Sequence, residues 1–229
     1  MFRLLKLTPP HGWSAVAWEL AIVTLGVLIA LGAQEVAQSF HWRSEVRETR
    51  GALDAELSRD LAAFHYRMDE SACITARATE LQRWAESFRT AKPLKLKHEI
   101  ISTPGFAIRT EVWDIIDSEV ASRIPLKDRL NYSGIYSGMR GVDNLGTQEG
   151  EAWEAIAEFD GATTLEEPDI RKIVLAAKAL AGNNQILPAW DTTMSRQARE
   201  LGLKPDPNLL KTANPIVPQM REAACEPYL

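Results

Sequence analysis

The chain has 229 residues, of which 45% are hydrophobic and 25% are charged, and its formal net charge is −5. This composition is typical of a chain that buries a core, so it excludes disorder along the whole length. The acidic balance argues against a general nucleic-acid-binding protein, and two cysteines are too few for a disulfide-dense scaffold or a four-cysteine zinc site.

The first predicted element is a membrane-spanning helix at residues 13–34. This stretch contains a single charged residue, Glu19. Its length matches the roughly 20 apolar residues that a helix needs to cross a bilayer. Trp13 and Trp18 lie near its start, where interfacial aromatic residues anchor membrane helices. We therefore expect a short tail at residues 1–12 followed by an uncleaved anchor.

Two other interpretations of this stretch stay open. Ala30-Leu31-Gly32 has the small-x-small pattern of a signal-peptide cleavage site, although the apolar stretch is long for a signal peptide. A helix buried inside a soluble domain would be apolar as well.

The basic residues around the span give almost no bias in orientation. Arg3 and Lys6 precede it, and arginines interleaved with glutamates follow it. A long domain can cross the membrane largely regardless of its charge. We expect residues 1–12 in the cytoplasm and the larger domain, residues 35–229, on the outer side.

The two cysteines, Cys73 and Cys225, both follow the span. In an oxidising periplasm two such thiols tend to pair. We predict a disulfide that ties the C-terminal tail to the long helix, which also favours a periplasmic domain. Two unrelated thiols, one buried and one free, are the alternative.

One face of the predicted span is lined by small residues. Glu19, Gly26 and Ala33 are seven residues apart and share a helix face, which Ala30 flanks. Gly26 and Ala30 form a small-xxx-small pair of the kind that lets membrane helices approach closely. We predict that this face contacts another membrane helix. Small residues are common in any span, so a surface facing lipid is the alternative.

Beyond the span, the pattern predicts a long amphipathic helix over residues 35–91, with a bend, that ends before Pro93. Its apolar positions are mostly three, four or seven residues apart, and they include Val36, Phe40, Val46, Leu53, Leu57, Leu61, Phe64 and Met68. The basic run at residues 92–98 is interpreted as a solvated linker; contact with anionic lipid or nucleic acid is the alternative.

Residues 106–203 are predicted to form a bundle of shorter helices. The expected helices lie at about 110–122, from Pro125 through a glycine-rich segment, at 149–159, from a capping box at Thr164 and Glu167 to Gly182, and at about 191–201. The tail at residues 204–229 is rich in proline and is expected to be largely extended. Hardly any segment alternates with period two, so the fold class is all-α.

The glycine-rich segment carries Gly134, Gly138 and Gly141 on one face. Each glycine inside a helix costs about 1 kcal/mol relative to alanine, so we expect another helix to approach closely there. Tyr132 and Tyr136 lie one turn apart beside the glycines. We interpret the set as a tight helix crossing inside the domain, with a partner-recognition surface as the alternative.

No pattern in the sequence indicates catalytic chemistry. Phosphate-binding and dinucleotide-binding loops, H-E-x-x-H, C-x-x-C and EF-hand patterns are all absent. His41 with Glu45, and His65 with Asp69, are helical i,i+4 pairs, which we interpret as helix surface rather than as metal ligands. We expect no cofactor, no metal and no nucleic-acid partner, and we expect the protein not to be an enzyme.

The segment from Glu19 to Gln34 reads ELAIVTLGVLIALGAQ. It resembles the first helix of uncharacterised bacterial single-pass membrane proteins, which reads roughly E-x-x-[IV]-V-x-x-G-[IV]-L-I-A-L-x-x-[NQ]. The matching positions are Glu19, Ile22, Val23, residues 26–31 and Gln34. The resemblance implies an anchor followed by a charged helix and an α-helical domain of unknown function, which is a statement about topology.

These features together predict a non-catalytic single-pass protein of a bacterial inner membrane. We expect an accessory or structural subunit that docks beside a larger membrane complex through the face of Glu19, Gly26 and Ala33. Its expected partners are membrane lipid and either an integral membrane protein or a second copy of the chain. A periplasmic sensor or signalling module is the second hypothesis, and a membrane-tethered enzyme is the third.

Overall fold

The structure is a computed structural model that describes residues 12–105, 107–209 and 216–229. Within these residues every regular element is an α-helix and no strand occurs, so the predicted all-α class is confirmed. The helices are α1 (Trp13–Ser87), α2 (Glu111–Ile115), α3 (Ser118–Arg123), α4 (Leu126–Ala157), α5 (Glu167–Leu201) and α6 (Ile216–Cys225). Of the predicted N-terminal tail, residues 1–11 lie outside the described residues.

The chain divides into two units, the first ending at Glu48 and the second beginning at Thr49. In the first unit α1 carries an 18-residue window with a mean hydropathy of 2.1, none of which is buried. By length and composition α1 is therefore a candidate membrane span. Val36 and Phe40, which the sequence pattern placed on an apolar face, are 56% and 67% exposed in this unit.

The core of the second unit is shared by α1, α4 and α5. Leu53, Leu57, Leu61 and Phe64 of α1 are each at most 1% exposed, so this part of the predicted apolar face is buried. Their spacing of three or four residues places them on one side of the helix. A cluster further along joins all three helices, and its large members include Leu81, Trp84, Trp153, Ile156, Ile173 and Leu180.

Helix α1 ends at Ser87, four residues before the predicted end. The Ser87 hydroxyl donates a hydrogen bond to the carbonyl oxygen of Trp84 (2.6 Å) and accepts one from the backbone N–H of Leu94 (2.8 Å). This serine therefore holds the chain in a turn before Pro93.

The helix expected over residues 110–122 is two helices, α2 and α3, because the chain is extended between them. Ile116 has a ψ of 129°, and Asp117 also has an extended backbone. The Asp117 side chain accepts hydrogen bonds from the backbone N–H groups of Glu119 (2.7 Å) and Val120 (3.2 Å). An aspartate in this role begins a new helix rather than continuing the old one.

The helix predicted separately at 149–159 is the last part of α4, which runs unbroken from Leu126 to Ala157. Its buried side chains continue past the glycines at regular intervals: Met139, Val142, Glu149, Ala152, Trp153 and Ile156. Packing of this face stabilises the helix more than the glycines destabilise it.

The two helices predicted at 165–182 and 191–201 are likewise one helix, α5, with Pro188 in its interior. Proline costs about 3 kcal/mol in a helix, but each fully buried large side chain recovers about 1.5–3 kcal/mol. Leu187 and Met194, on either side of the proline, are at most 2% exposed. The helix begins after a capping box formed by Glu166 and Asp169, not at the predicted Thr164.

The observed structure at the C-terminal end of the bundle is closer to the prediction. Helix α5 ends at Leu201, the predicted end, and Gly202 follows it in the left-handed conformation (φ +77°). The predicted extended tail is partly wrong, because Ile216–Cys225 forms α6. Residues 210–215 of that tail lie outside the described residues.

Candidate functional site

The predicted contact face of the span is exposed. Glu19, Gly26, Ala30 and Ala33 are all exposed, and a Cβ added at Gly26 would meet no atom within 4 Å. In the described part of the chain the face therefore has no partner, and its contact with another membrane helix stays a prediction.

Three of the glycines of α4, Gly134, Gly138 and Gly141, lie directly against α5. A Cβ built on Gly138 would come within 2.5 Å of the Met194 sulfur, and one on Gly141 within 2.8 Å of the Trp190 ring. A Cβ on Gly134 would clash with the side chain of Gln197. The glycine face is therefore a close helix crossing inside the domain, as interpreted from the sequence.

Tyr132 and Tyr136 face the other way, toward α1. Both are fully buried, and their hydroxyls donate hydrogen bonds to Asp54 and to Glu56 (2.8 Å), respectively. The ring of Tyr136 also stacks on Trp113, with 5.2 Å between centroids. The tyrosines are core residues, so they are not available as an exposed recognition surface.

The predicted cysteine pair lies at disulfide distance, with Cα atoms of Cys73 and Cys225 5.5 Å apart. It joins α1 to α6 and to the four residues that follow α6, and we call residues 216–229 the strap. The last helical turns of the strap are packed against the domain, since Ala224 is 0% exposed.

Tyr228 fastens the end of the strap and is itself 0% exposed. Its hydroxyl accepts a hydrogen bond from the backbone N–H of Ile101 (2.9 Å) and donates one to the Ile101 carbonyl (3.0 Å). Its backbone N–H donates to Glu80 (2.7 Å), and its carbonyl accepts from the N–H of Lys97 (3.0 Å). The run at 92–98 is thus not only a solvated linker, because its last residues pair with the strap.

A buried polar network joins the three long helices. The Arg67 guanidinium on α1 binds both carboxylate oxygens of Glu149 on α4, and it also donates to Asn184 on α5 (2.7 Å). A fourth bond goes to the Ser71 hydroxyl (3.2 Å), and the Asn184 amide donates to Thr75 (3.0 Å). Arg67 is 4% and Glu149 8% exposed, so the pair is held by these contacts with little water.

Two further carboxyl groups on α1 are buried with incomplete hydrogen bonding. Asp60 accepts one bond, from the backbone N–H of Arg109 (3.1 Å), and its other oxygen has no partner among the described residues. Glu70 has Arg221 of the strap at 3.6 Å, while Arg221 lies over the Tyr66 ring. Burial raises the pKa of both Asp60 and Glu70 to about 7, because the charged form loses its hydration.

This burial predicts a stability that falls with rising pH. The folded state holds the Asp60 proton more tightly than the unfolded chain, in which the pKa is 3.8, so stability is greatest below that value and is lost as the pH rises to about 7. Between pH 5 and pH 8 the loss from this one group should be about 2–3 kcal/mol. Asp60→Asn should remove that part of the pH dependence.

The measurement is the free energy of urea unfolding of the full chain in a non-ionic detergent at pH 5 and pH 8. Asp69→Asn is the matched control, since Asp69 lies on the same helix but is exposed. If Asp60→Asn and Asp69→Asn change the difference between the two pH values equally, the interpretation of Asp60 is wrong.

The histidine pairs proposed as helix surface do not gather ligands. His65 contacts Asp191 (3.1 Å) rather than Asp69, and Ser195 donates to the same Asp191 oxygen (2.8 Å). In a nucleophilic triad the serine hydroxyl forms a hydrogen bond to the histidine. Here the Ser195 hydroxyl donates to Asp191 instead, so the contact between nucleophile and base is missing. His41 packs beside Trp42. Among the described residues no group of three or more His, Cys, Asp or Glu side chains could hold a metal ion.

A cleft of about 480 Å³ opens above the buried Arg67–Glu149 pair. One wall is a stretch of α4 that includes Val142, Gly146, Gly150 and Trp153, and the other is the loop from Ile100 to Gly105. Because Ile101 is bound to Tyr228, the strap holds this loop in place.

The burial of three charged residues of α1 was not predicted from the sequence. Asp60, Arg67 and Glu70 occur at the same three-to-four-residue spacing as the apolar residues Leu61 and Phe64. That spacing places them on the buried face of α1, and it is the sequence signal from which their burial could have been predicted. Charged residues on such a face are normally buried only with a partner.

A comparison of the chain with protein-family models, curated proteins and solved structures finds no match.

Proposed function

We propose that this protein is a non-catalytic, single-pass membrane protein of a bacterial inner membrane and that it is an accessory subunit of a larger membrane assembly. The observation that carries the proposal is the exposed apolar part of α1 with its small-residue face. A large exposed apolar surface marks contact with lipid or protein, and small residues let a second membrane helix approach closely.

The cysteine pair supports a periplasmic position for the second unit. Disulfides persist in oxidising compartments and are rare in the cytosol. Cys73 and Cys225 lie at disulfide distance, and both belong to the second unit. We therefore propose that the larger domain, residues 35–229, lies in the periplasm.

The polar clusters of the second unit support a structural role. Four of the five N–H donors of the Arg67 side chain are used in hydrogen bonds to Glu149, Asn184 and Ser71, which leaves a single donor for a substrate. His65, Asp191 and Ser195 lack the contact between nucleophile and base that acyl transfer requires.

Bulk added to the small-residue face tests the docking. In the double variant Gly26→Leu, Ala30→Leu the face no longer admits a close neighbour, so the complex should dissociate. Leu28→Phe is the matched control, because it adds bulk about 200° around the same helix. We expect the wild type and Leu28→Phe to migrate in mild detergent as one larger particle and the double variant as a single chain.

Two differently tagged copies of the chain separate the two kinds of partner. Co-purification of the two tags from the larger particle identifies a homo-oligomer, and its absence identifies a different membrane protein. A wild type that migrates as a single chain in native membrane extracts would show that the accessory role is wrong.

A sensor or signalling module is the second candidate, and one observation favours it. Arg67, at the base of the cleft, lies on α1, the same helix that carries the candidate span. A ligand in the cleft would thus act on the helix that enters the membrane. Ligand-dependent cross-linking at the span distinguishes this role, since an accessory subunit would show the same cross-links with and without ligand.

A further inference from the structure

Polar contacts with the end of the strap fix the loop at residues 95–105, which has no helix or strand of its own. In the described part of the chain, each hydrogen bond that leaves this loop goes to Tyr228 or Leu229. The Lys97 N–H donates to the Tyr228 carbonyl (3.0 Å), and the Lys97 ammonium donates to the backbone oxygen of Leu229. The Ile101 backbone donates to the Tyr228 hydroxyl (2.9 Å) and accepts from it (3.0 Å). The position of the loop therefore depends on the strap.

The same loop lines two clefts. Residues 100 and 102–105 line the cleft of about 480 Å³ described above. Residues 95–99 line a second cleft, of about 640 Å³, together with Trp84 and Phe88 of α1. A movement of the loop would therefore change the shape of both clefts at once.

Further from its end the strap fits the domain less well. Arg221 of the strap comes only within 3.6 Å of Glu70, which is 0% exposed. Among the described residues neither carboxylate oxygen of Glu70 accepts a hydrogen bond, and two nitrogen atoms of the buried Arg77 donate none. Arg77 lies on α1 between Cys73 and Glu80, which the strap contacts. Buried polar groups without hydrogen bonds are unfavourable, so this part of the strap contributes little to its attachment.

We propose that the strap is a clamp on the loop at residues 95–105 and that the cross-link between Cys73 and Cys225 locks the clamp. With the cross-link intact, Tyr228 lies three residues from a covalent anchor. Without it, the nearest polar contact earlier in the strap is that of Arg221, seven residues from Tyr228. The effective concentration of a tethered group falls roughly as the −3/2 power of the tether length. The unlocked strap stays docked most of the time, but Tyr228 detaches more often and the loop opens with it.

A dithiol opens the lock by thiol–disulfide exchange. One thiolate of the dithiol attacks a sulfur of the pair, so the S–S bond breaks and a mixed disulfide forms. The second thiol of the dithiol then displaces the protein sulfur. Two electrons and two protons pass to Cys73 and Cys225, which become thiols, while the dithiol becomes a disulfide. Both cysteines are partly exposed, so a thiolate can reach them.

Hydrogen–deuterium exchange of the full chain in a non-ionic detergent tests the clamp, with dithiothreitol as the dithiol. The readout is the exchange rate of the Lys97 and Ile101 amides, resolved to single residues by electron-transfer fragmentation. Reduction should speed their exchange about fourfold or more, the ratio expected from the two tether lengths. In the same reduced sample the amide of the buried Met139 on α4 should exchange much later, because the opening is local.

Tyr228→Phe separates the clamp from the lock. The variant keeps the ring and the cross-link but loses the hydroxyl that binds Ile101. The Ile101 amide should therefore exchange about fivefold faster even in the oxidised protein, the effect of one lost hydrogen bond. Tyr66→Phe is the matched control, because Tyr66 lies beneath Arg221 of the strap but forms no hydrogen bond to the loop. Its exchange rates should equal those of the wild type.

Cleavage by endoproteinase Lys-C after Lys97 reports whether the loop leaves its position, since a protease acts on a segment that has opened. The reduced wild type should be cut faster at this site than the oxidised protein, and oxidised Tyr66→Phe should be cut at the wild-type rate. The double variant Cys73→Ala, Cys225→Ala should be cut as fast as the reduced wild type, with or without dithiothreitol.

Three results would overturn the proposal. The first is exchange at Lys97 and Ile101 that reduction leaves unchanged, and the second is cleavage after Lys97 that reduction leaves unchanged. The third is exchange of the loop amides and of Met139 at the same rate in the reduced protein. That result would mean that the cross-link stabilises the fold as a whole and does not lock a clamp. The proposal concerns the second unit alone, so it and the accessory role can fail separately.

Discussion

Glu149→Ala is expected to destabilise the folded second unit by about 3–5 kcal/mol, the usual cost of leaving a buried charge without its partner. The substitution removes the two carboxylate oxygens of Glu149, on α4, that accept hydrogen bonds from the Arg67 guanidinium. Arg67, at 4% exposure, cannot regain water without opening the packing of α1 against α4 and α5. Only Asn184 and Ser71 would remain as its partners.

The double variant Arg67→Met, Glu149→Leu should cost less than either single change. Replacing both ions with apolar side chains of similar size removes the charge and its partner together, and such replacements are often neutral. Urea unfolding of the wild type, Arg67→Met, Glu149→Leu and the double variant, followed by tryptophan fluorescence in detergent, gives the coupling energy of the pair. The exposed Glu151→Ala is the control, with an expected change below about 0.5 kcal/mol.

A coupling energy near zero would contradict this account of the network. It would mean that the two side chains contribute independently and that water reaches them in the folded protein. The cleft above the pair would then be more hydrated than the burial of Arg67 and Glu149 indicates.

Removal of the disulfide is the second change with a large expected effect. The cross-link joins residues separated by 152 positions, so it restricts most of the second unit in the unfolded state. We expect Cys73→Ala, Cys225→Ala to lose about 3–5 kcal/mol of stability, as the chain-entropy model and measured losses in small domains both indicate. The folded strap should stay docked at low denaturant through Tyr228.

Reductant provides the matched control for this prediction. Wild type with reductant should unfold at the same urea concentration as the double variant, and the variant itself should not respond to reductant. Thiol blocking before non-reducing electrophoresis tests the bond directly. Two blocked thiols in protein from the native membrane would contradict both the disulfide and the periplasmic position of the domain.

The candidate span and the buried face of α1 were predictable because their signals are local. Hydropathy over an 18-residue window identifies the first, and the three-to-four-residue spacing of Leu53, Leu57 and Leu61 identifies the second. The pairing of Cys73 with Cys225 was predictable because two cysteines on one side of a span leave few choices. The close crossing at Gly138 was expected because glycine inside a helix is unfavourable unless space is needed.

The lengths of α4 and α5 were not predictable from the same local rules. Gly146, Gly150 and Pro188 are signals for breaks, and their local costs are real. The structure keeps both helices continuous because each buries one face along its whole length against distant parts of the chain. A local rule has no access to that long-range stabilisation.

The chain by itself therefore determined an all-α protein with a candidate membrane anchor, an amphipathic long helix and a cysteine pair. Only the tertiary structure decided that Arg67 meets Glu149 and Asn184, that Tyr228 holds the loop at Ile101, and that the cleft lies between that loop and α4. The physical reason is sequence distance. Periodicity reports which face of a helix is buried, but a buried charge and a cleft wall are defined by partners that lie 82 to 127 residues away and are brought together only by packing.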